Sequence, residues 1–415
     1  MNQSVIDVVD PSPSNVAIVS PLIHEGQEHF RVAEADLPAD DFRGRIIDSV
    51  AEAVALIPAW KRLMQLAVSR NPYFDPSFLL PAMRYLGEGK VSLLVIEASQ
   101  RNRKNTTPIL CGVIPVVFRK VYGIPMRTLE IWKHDQCFDC TPLIRADCKE
   151  GAWRFMLEFI HNDLKANLFS MNTVLGEGDF SNLLTEHSFD RRLSVFHRDA
   201  FTRACFKPLD DEETYLRTFV AKSTRKGTLR LRRKLEQLGE LNTEFLYDYD
   251  AQLVSQFLDL EASGWKGTVG TALASKPTTK LFFEDMMQRC MRDGNAVVVR
   301  VTLDKRPIAM LIVLQQASRA AQFKIAFDEQ FKEFTPGTMV EFDEIRRMFA
   351  DAIEYSDSCA DPNHSMINRV WGGRVRFQSL VVANDRMLPR IAVALMPIVQ
   401  QAKHVFSKSR SESKS

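Results

Sequence analysis

Residues 321–348 read AQFKIAFDEQFKEFTPGTMVEFDEIRRM. The stretch opens as a short apolar strand pattern, breaks at a polar turn ending Phe334-Thr335-Pro336-Gly337-Thr338, and restarts with helical spacing. A strand that delivers its end to a helix N-terminus gathers free backbone N–H groups and the positive end of the helix dipole at one point, which suits an anionic phosphate. Upstream, residues 296–303 and 308–315 are strand-like and are joined by Asp304-Lys305-Arg306-Pro307, a connection rich in turn formers that reads as a hairpin. The expected order is strand, strand, strand, phosphate-type turn, helix, with Thr335, Pro336, Gly337, Thr338 and Met339 forming the anion seat.

Composition bounds what surrounds this unit. With 415 residues, 45% of them hydrophobic and 26% charged, the chain has the profile of a globular protein of two to three domains. Its 54 basic and 52 acidic residues leave a formal net charge of +2, so a basic surface must be local rather than global. Seven scattered cysteines do not form a secreted disulfide framework and point to a reducing compartment. Residues 1–20 lack a basic segment followed by an apolar run, so a cytoplasmic location without membrane insertion is the expectation. Residues 391–399 are apolar but far short of the roughly 20 residues of a spanning helix and read as a docked helix.

The chain repeats itself in type. Residues 1–40 read as a loose N-terminal arm and 407–415 as a flexible, solvated tail. In the first half, 91–97, 110–118 and 126–132 are strand-like, and a helical pattern runs through Trp153, Phe155, Phe159 and Leu164. The second half begins after Lys207-Pro208-Leu209-Asp210, where Asp211, Glu212 and Glu213 favour a helix N-terminus. The expected lobes are 41–206 and 207–406. Both are α+β of similar order, which suggests a tandem duplication.

The string Leu258-Asp259-Leu260-Glu261-Ala262-Ser263-Gly264-Trp265-Lys266-Gly267, with Gly270-Thr271-Ala272-Leu273, resembles a motif of the GNAT-like acyltransferases of the cellulose-biosynthesis-associated acetyltransferase type. Phe327-Asp328-Glu329, Thr335-Pro336-Gly337, the run from Asp357 through Ser358, Cys359, Asp361 and His364 to Ile367, and Trp371 follow in the same order as that family's later motifs. Its first lobe is similar to Asn71-Pro72-Tyr73-Phe74, Gly112-Val113-Ile114-Pro115 and Thr141-Pro142-Leu143, so the resemblance covers about residues 60 to 390. It implies two tandem GNAT-like lobes, each a twisted mixed sheet flanked by helices. It also implies an acyl-CoA co-substrate in the second lobe and an amine acceptor on a sugar, polysaccharide precursor, amino acid or small metabolite. One departure stands out. Only Gly337, preceded by Pro336, is available where many GNAT enzymes use several glycines, so loss of CoA binding or a different acyl carrier stays open.

Transfer of an acyl group to an amine needs a positioned donor, a proton acceptor and a polarised carbonyl, and no covalent nucleophile. Glu261 ends an apolar helical run beside a glycine-rich segment and is a candidate base or a solvated helix-end glutamate. Asp328 follows a strand and could face the acyl group or cap local backbone. His364, with a near-neutral reference pKa, is the natural proton acceptor, with Asp357 or Asp361 orienting its ring, although a loop histidine is more often a local hydrogen-bonding residue. Trp265, Lys266, Asp361, Trp371 and Arg374 are candidates for substrate binding, Trp371 equally for core packing.

Two further features carry alternatives. Between 215 and 235 lie Arg217, Lys222, Arg225, Lys226, Arg230, Arg232, Arg233 and Lys234 with no acidic residue, a density that could hold a polyanion. The resemblance reaches here toward the Fem-type peptidyltransferases, which share the twin-lobe plan and use aminoacyl-tRNA, and the alternative function is an aminoacyl-tRNA-dependent peptidyltransferase or a non-catalytic acyl-CoA-binding protein. A solvated helix face or a clamp for cofactor phosphates competes with that view. Cys137-Phe138-Asp139-Cys140, with His134 and Cys148 nearby, lacks a second paired motif, so reduced thiols and no metal are the expectation.

Overall fold

The computed structural model describes residues 41–99, 108–120, 126–190 and 194–412. The arm expected at 1–40 and most of the polar insert at 99–107 lie outside the described residues.

In the first half, β1 (Phe42–Ile47) leads through α1 (Val50–Ala55), α2 (Ile57–Leu66) and α3 (Pro76–Leu86) to β2 (Ser92–Ala98), β3 (Ile109–Arg119), β4 (Thr128–Ile131) and β5 (Leu143–Ile144). Then come α4 (Lys149–Glu158), β6 (Leu168–Leu175), α5 (Gly178–Asp190) and β7 (Val195–Phe206). The second half contains α6 (Glu212–Phe219), α7 (Lys222–Glu236), β8 (Leu241–Leu246), α8 (Ala251–Ser263), α9 (Trp265–Thr268) and α10 (Pro277–Arg292). It continues with β9 (Ala296–Leu303), β10 (Arg306–Gln316), β11 (Arg319–Phe327), α11 (Pro336–Ala350), β12 (Tyr355–Asp357), α12 (Ile367–Val370), β13 (Gly373–Ala383) and α13 (Met387–Glu412).

The hairpin read at 296–315 is present. Leu303 faces Arg306 across a two-residue turn in which Asp304 and Lys305 have φ of 49° and 65°, the backbone a tight hairpin requires. Strands β9 and β10 are nearly continuous apolar runs because helices cover both of their faces. Asp211 caps α6 by accepting from Thr214 N–H at 2.7 Å, so the acidic start of the second half acts as the composition implies.

All strands join one sheet in the order β1-β2-β3-β4-β6-β13-β7-β12-β11-β10-β9-β8, with β5 on β3. Each half repeats the scheme of antiparallel hairpin strands, a helix, and a returning strand that pairs in parallel for three residues: β4 with β6, and β11 with β12. The fold is α+β, two GNAT-like lobes in tandem.

Two boundaries need correction. β13 inserts between β6 and β7 of the first half, so residues 207–406 do not close on themselves and a cut at 206 would strip a central strand from the first lobe. The tail read as flexible at 407–415 is helical as far as Glu412 in α13.

Candidate functional site

The second lobe opens where its parallel pair ends. β11 and β12 are matched only from Arg319–Tyr355 to Ala321–Asp357, after which β11 runs on to Phe327 without a strand neighbour on that side. A register shift leaves Phe323 as an extra residue, a bulge that bends the strand and re-aims its backbone at the point of divergence. The resulting cleft has a volume of about 260 Å³. That lies just below the roughly 300 Å³ at which drug-sized ligand sites begin, a size for an extended arm rather than a bulky head group. Gln322, Lys324, Glu341, Cys359, His364 and Lys266 bring its polar groups.

The matching opening in the first lobe is filled by its own chain. Beyond Ser170, β6 is met by residues 133–141: Cys140 N–H donates to Thr173 O at 2.9 Å, Leu175 N–H to Thr141 Oγ1 at 2.9 Å, and Lys133 Nζ to Thr173 Oγ1 at 2.7 Å. Asn71 Nδ2 holds this plug through the carbonyls of Asp139 and Thr141 at 3.0 and 2.9 Å. Cys137 and Cys140 are buried free thiols with their sulfurs 3.7 Å apart, and no cluster of metal-binding side chains occurs among the described residues. The C-x-x-C therefore belongs to a structural plug. The Asn-Pro-Tyr-Phe segment also reaches the second lobe, since the Tyr73 hydroxyl lies 3.0 Å from Cys359 Sγ.

Several residues singled out from the sequence take other positions. Both Glu261 oxygens are engaged, one with Lys266 Nζ at 3.0 Å and one with Leu273 N–H at 2.8 Å, which makes it the buried anchor of α9 rather than an open base. Lys266 also donates to the Ile325 carbonyl at 3.1 Å, closing part of the free edge of β11. Asp328 caps the turn Glu329–Phe334, accepting from Gln330 N–H at 2.9 Å and pairing with Arg306. Asp357 is buried in an ion pair with Arg203 and accepts from Cys359 N–H at 2.9 Å; no hydrogen bond links it to the His364 ring. Asp361 is exposed and accepts from Asn363 N–H at 2.8 Å, and the His364 contact to it runs through backbone only. Trp371 is buried behind the cleft, and Arg374 is exposed with its guanidinium on the carbonyls of Trp371 and Gly373. Trp265, at 59% exposure, and His364 stand on the cleft.

His364 Nδ1 accepts from Ile367 N–H at 3.3 Å. Neutral imidazole in that arrangement carries its proton on Nε2, so the nitrogen left over is a donor, opposite to the acceptor role expected from the sequence.

The anion seat is also smaller than anticipated. Pro336 has no N–H, Thr338 and Met339 both donate to Thr335 O at 2.9 and 3.2 Å, and Gly337 is buried against Phe327, Ile325 and Met366. A single amide cannot cradle a diphosphate. Helix α7 packs beside the turn at 329–334 and exposes Lys222, Lys226, Arg230 and Arg233 along one face. Arg232, on the inner side of α7, fixes it to α11 through Asp343 at 2.9 Å.

Two groups in the cleft, Lys324 and Glu341, were missed by the sequence reading, and a third, Cys359, was named there only as part of a motif. Burial, helped by the neighbouring Lys266 charge, lowers the Lys324 ammonium to about 8. Glu341 is fully buried; burial pushes its carboxyl up to about 8, while hydrogen bonds from Gln322 (2.7 Å) and Trp371 Nε1 (2.9 Å) to Oε2 pull the other way and the Glu344 charge adds to the rise. Burial likewise raises the Cys359 thiol well above its ordinary value, which rules it out as a ready thiolate. Glu341 had a signal: with Ile345 and Met348 it forms a buried stripe at helical spacing, an acid in an apolar row.

Comparisons with known proteins agree with this architecture. Residues 222–364, from α7 to His364, match the family model described as acetyltransferase (GNAT) domain. The structure of FemX superposes with a TM-score of 0.55 at 11% identity, covering 81% of this chain and 98% of that one. A conserved protein of unknown function from Bacteroides thetaiotaomicron VPI-5482 gives 0.51 at 10% identity, covering 79% and 97%. A tandem GNAT protein from the clavulanic acid biosynthesis pathway gives 0.40 at 12% identity, covering 83% and 100%. No curated protein matches the chain. Residues 222–364 are thus similar to a GNAT acetyltransferase domain, and nothing in these matches bears on the cellulose-biosynthesis-associated type. Among the described residues no helix is long and apolar enough to cross a membrane.

Proposed function

We propose that the protein is an N-acyltransferase that moves an acyl group from a phosphate-bearing donor, acyl-CoA in the first instance, to an amine acceptor. The observation that carries this reading is the divergence of β11 from β12 at a bulge, open in the second lobe and plugged in the first. The free edge of β11 offers backbone amides to polarise a carbonyl lying in the cleft, and apolar side chains around it keep water away from the reacting centre.

Lys324 is the group suited to take the proton that the amine sheds on attack, because an amine brought to about 8 is partly free base near neutral pH. His364, with its proton on Nε2, suits a hydrogen bond to the departing sulfur or oxygen, which it stabilises without giving up that proton. The α7 cations meet the donor's phosphates in place of the α11 amides. The neutral amine nitrogen bonds to the carbonyl carbon, the bond to the leaving group breaks, the proton lost by that nitrogen passes to Lys324, and the leaving group takes its proton from solvent.

The same α7 face favours one second reading. Four exposed cations on one helix face are more than a diphosphate needs and suit a polyanion such as aminoacyl-tRNA. The test is to incubate the purified protein with acetyl-CoA or with an aminoacyl-tRNA and a panel of primary amines, following leaving-group release and the mass of the amine. Acylated amine with either donor supports transfer and names the donor. No product with both sinks the proposal.

A further inference from the structure

Glu341 is a fully buried side chain lining the cleft, and its bonding is incomplete. Its Oε2 accepts from both Gln322 and Trp371, whereas Oε1 is buried with no hydrogen-bond partner. Oε2 is occupied by two donors, so a proton on this carboxyl must sit on Oε1, where nothing in the chain accepts it. A buried donor left unpaired is destabilising, a deficit that a bound oxygen in the cleft would remove.

Charges around Glu341 do not supply a counter-ion. On its own helix Glu344 is tied to Arg347 in a two-pronged pair at 2.7 and 2.8 Å, which leaves that guanidinium satisfied elsewhere. Tyr215 from α6 feels the Glu341 charge, and burial together with that charge raises its hydroxyl to about 12, so it stays neutral. Lys324 on β11, Lys266 on α9, and Cys359 and His364 after β12 line the same cleft, and Lys266 is paired with Glu261.

We propose that Glu341 is kept as a neutral acid whose Oε1–H donates to the carbonyl oxygen of the acyl group held in the cleft. This rests on the acyltransfer reading above. The carboxyl then stabilises the negative charge that gathers on that oxygen when the amine attacks, and it gives up no proton in the net reaction.

Trp371 offers a direct report, because its indole N–H is bonded to Glu341. The chain has five tryptophans, so protein labelled with 5-fluorotryptophan gives five fluorine signals, of which Trp371→Phe and Trp265→Phe identify two. In the unliganded protein the Trp371 signal should titrate with a midpoint near 8, and the titration should vanish in Glu341→Gln. If that variant does not fold, Glu341→Asp should move the midpoint instead. Acetyl-CoA or aminoacyl-tRNA, whichever the transfer assay selects, should shift the exposed Trp265 signal and raise the Trp371 midpoint by about half a unit, a roughly threefold preference for the protonated form.

A Trp371 signal that is flat between pH 6 and 10, or that titrates unchanged in the variants, overturns the assignment whatever the enzyme does. A donor that moves Trp265 without moving the Trp371 midpoint overturns it while leaving the transfer reading intact. Donors that move neither remove both.

Discussion

Arg203 on β7 and Asp357 at the end of β12 form a buried two-pronged ion pair, with Nε to Oδ1 at 2.7 Å, and the same guanidinium donates to the Phe138 carbonyl at 2.8 Å. The pair ties a strand of the first half and its plug loop to the last matched residue before the cleft opens. It fixes the apex of the split, so Asp357 acts as a structural member of the site rather than as a partner of His364.

Removing one member of such a pair leaves a bare buried charge. Asp357→Ala should therefore destabilise the protein by about 3–5 kcal/mol, measured by urea denaturation. The double change Arg203→Met with Asp357→Leu should recover most of the loss. A loss under about 1 kcal/mol in the single variant would mean that the apex is held by something else.

Glu341 should also mark the pH dependence of folding. Its folded-state value near 8 lies above the ordinary carboxylate range, so between the two the folded state holds a proton that the unfolded chain has released. Stability contributed by this group therefore falls as pH rises through that window and levels off above about 8. Glu341→Gln cannot titrate, and its stability relative to wild type should grow by roughly 1.4 kcal/mol per pH unit from pH 5.5 to 7.5. A constant difference across that range would contradict the assignment.

Turnover should follow a narrow bell. Lys324 must be neutral to accept a proton and Glu341 protonated to donate its hydrogen bond, so activity should rise and then fall around pH 8. Lys324→Met should lower kcat about 100-fold or more with little change in donor affinity. Glu341→Gln should keep activity above pH 9, where wild type declines. A wild-type profile still rising above pH 9 would fault the role of Glu341.

The α7 face separates the donors. Replacing Lys222, Lys226, Arg230 and Arg233 with glutamine should weaken acyl-CoA binding several-fold; if aminoacyl-tRNA is the donor, the log–log salt slope of its binding should fall by about 0.9 for each lost phosphate contact. Unchanged binding of the active donor would show that its phosphates lie elsewhere.

Much of the fold could be read from the chain because it is written locally. The hairpin at Asp304-Lys305, the capped start at Asp211 and the helix after Pro336 all depend on residues close in sequence. The insertion of β13 between β6 and β7 could not be read, since nothing near Gly373 names strands about 170 to 200 residues away. The site suffered from the same limit. Glu261, Asp328 and Asp357 are carboxylates in suggestive places, yet each is consumed by a partner that only the fold supplies. Lys324 looked like an ordinary strand residue and Glu341 stood out only as an acid in an apolar row; the acid–base shifts of both arise from burial that only the fold supplies.

Hydrogen exchange across β11 tests the central claim most directly. With acetyl-CoA or aminoacyl-tRNA present, amides in residues 322–327 and 358–367 should slow markedly with the donor that supports transfer, since that donor occupies the split between β11 and β12. Exchange at both segments unchanged by either donor, with protection confined to other parts of the molecule, would contradict the account.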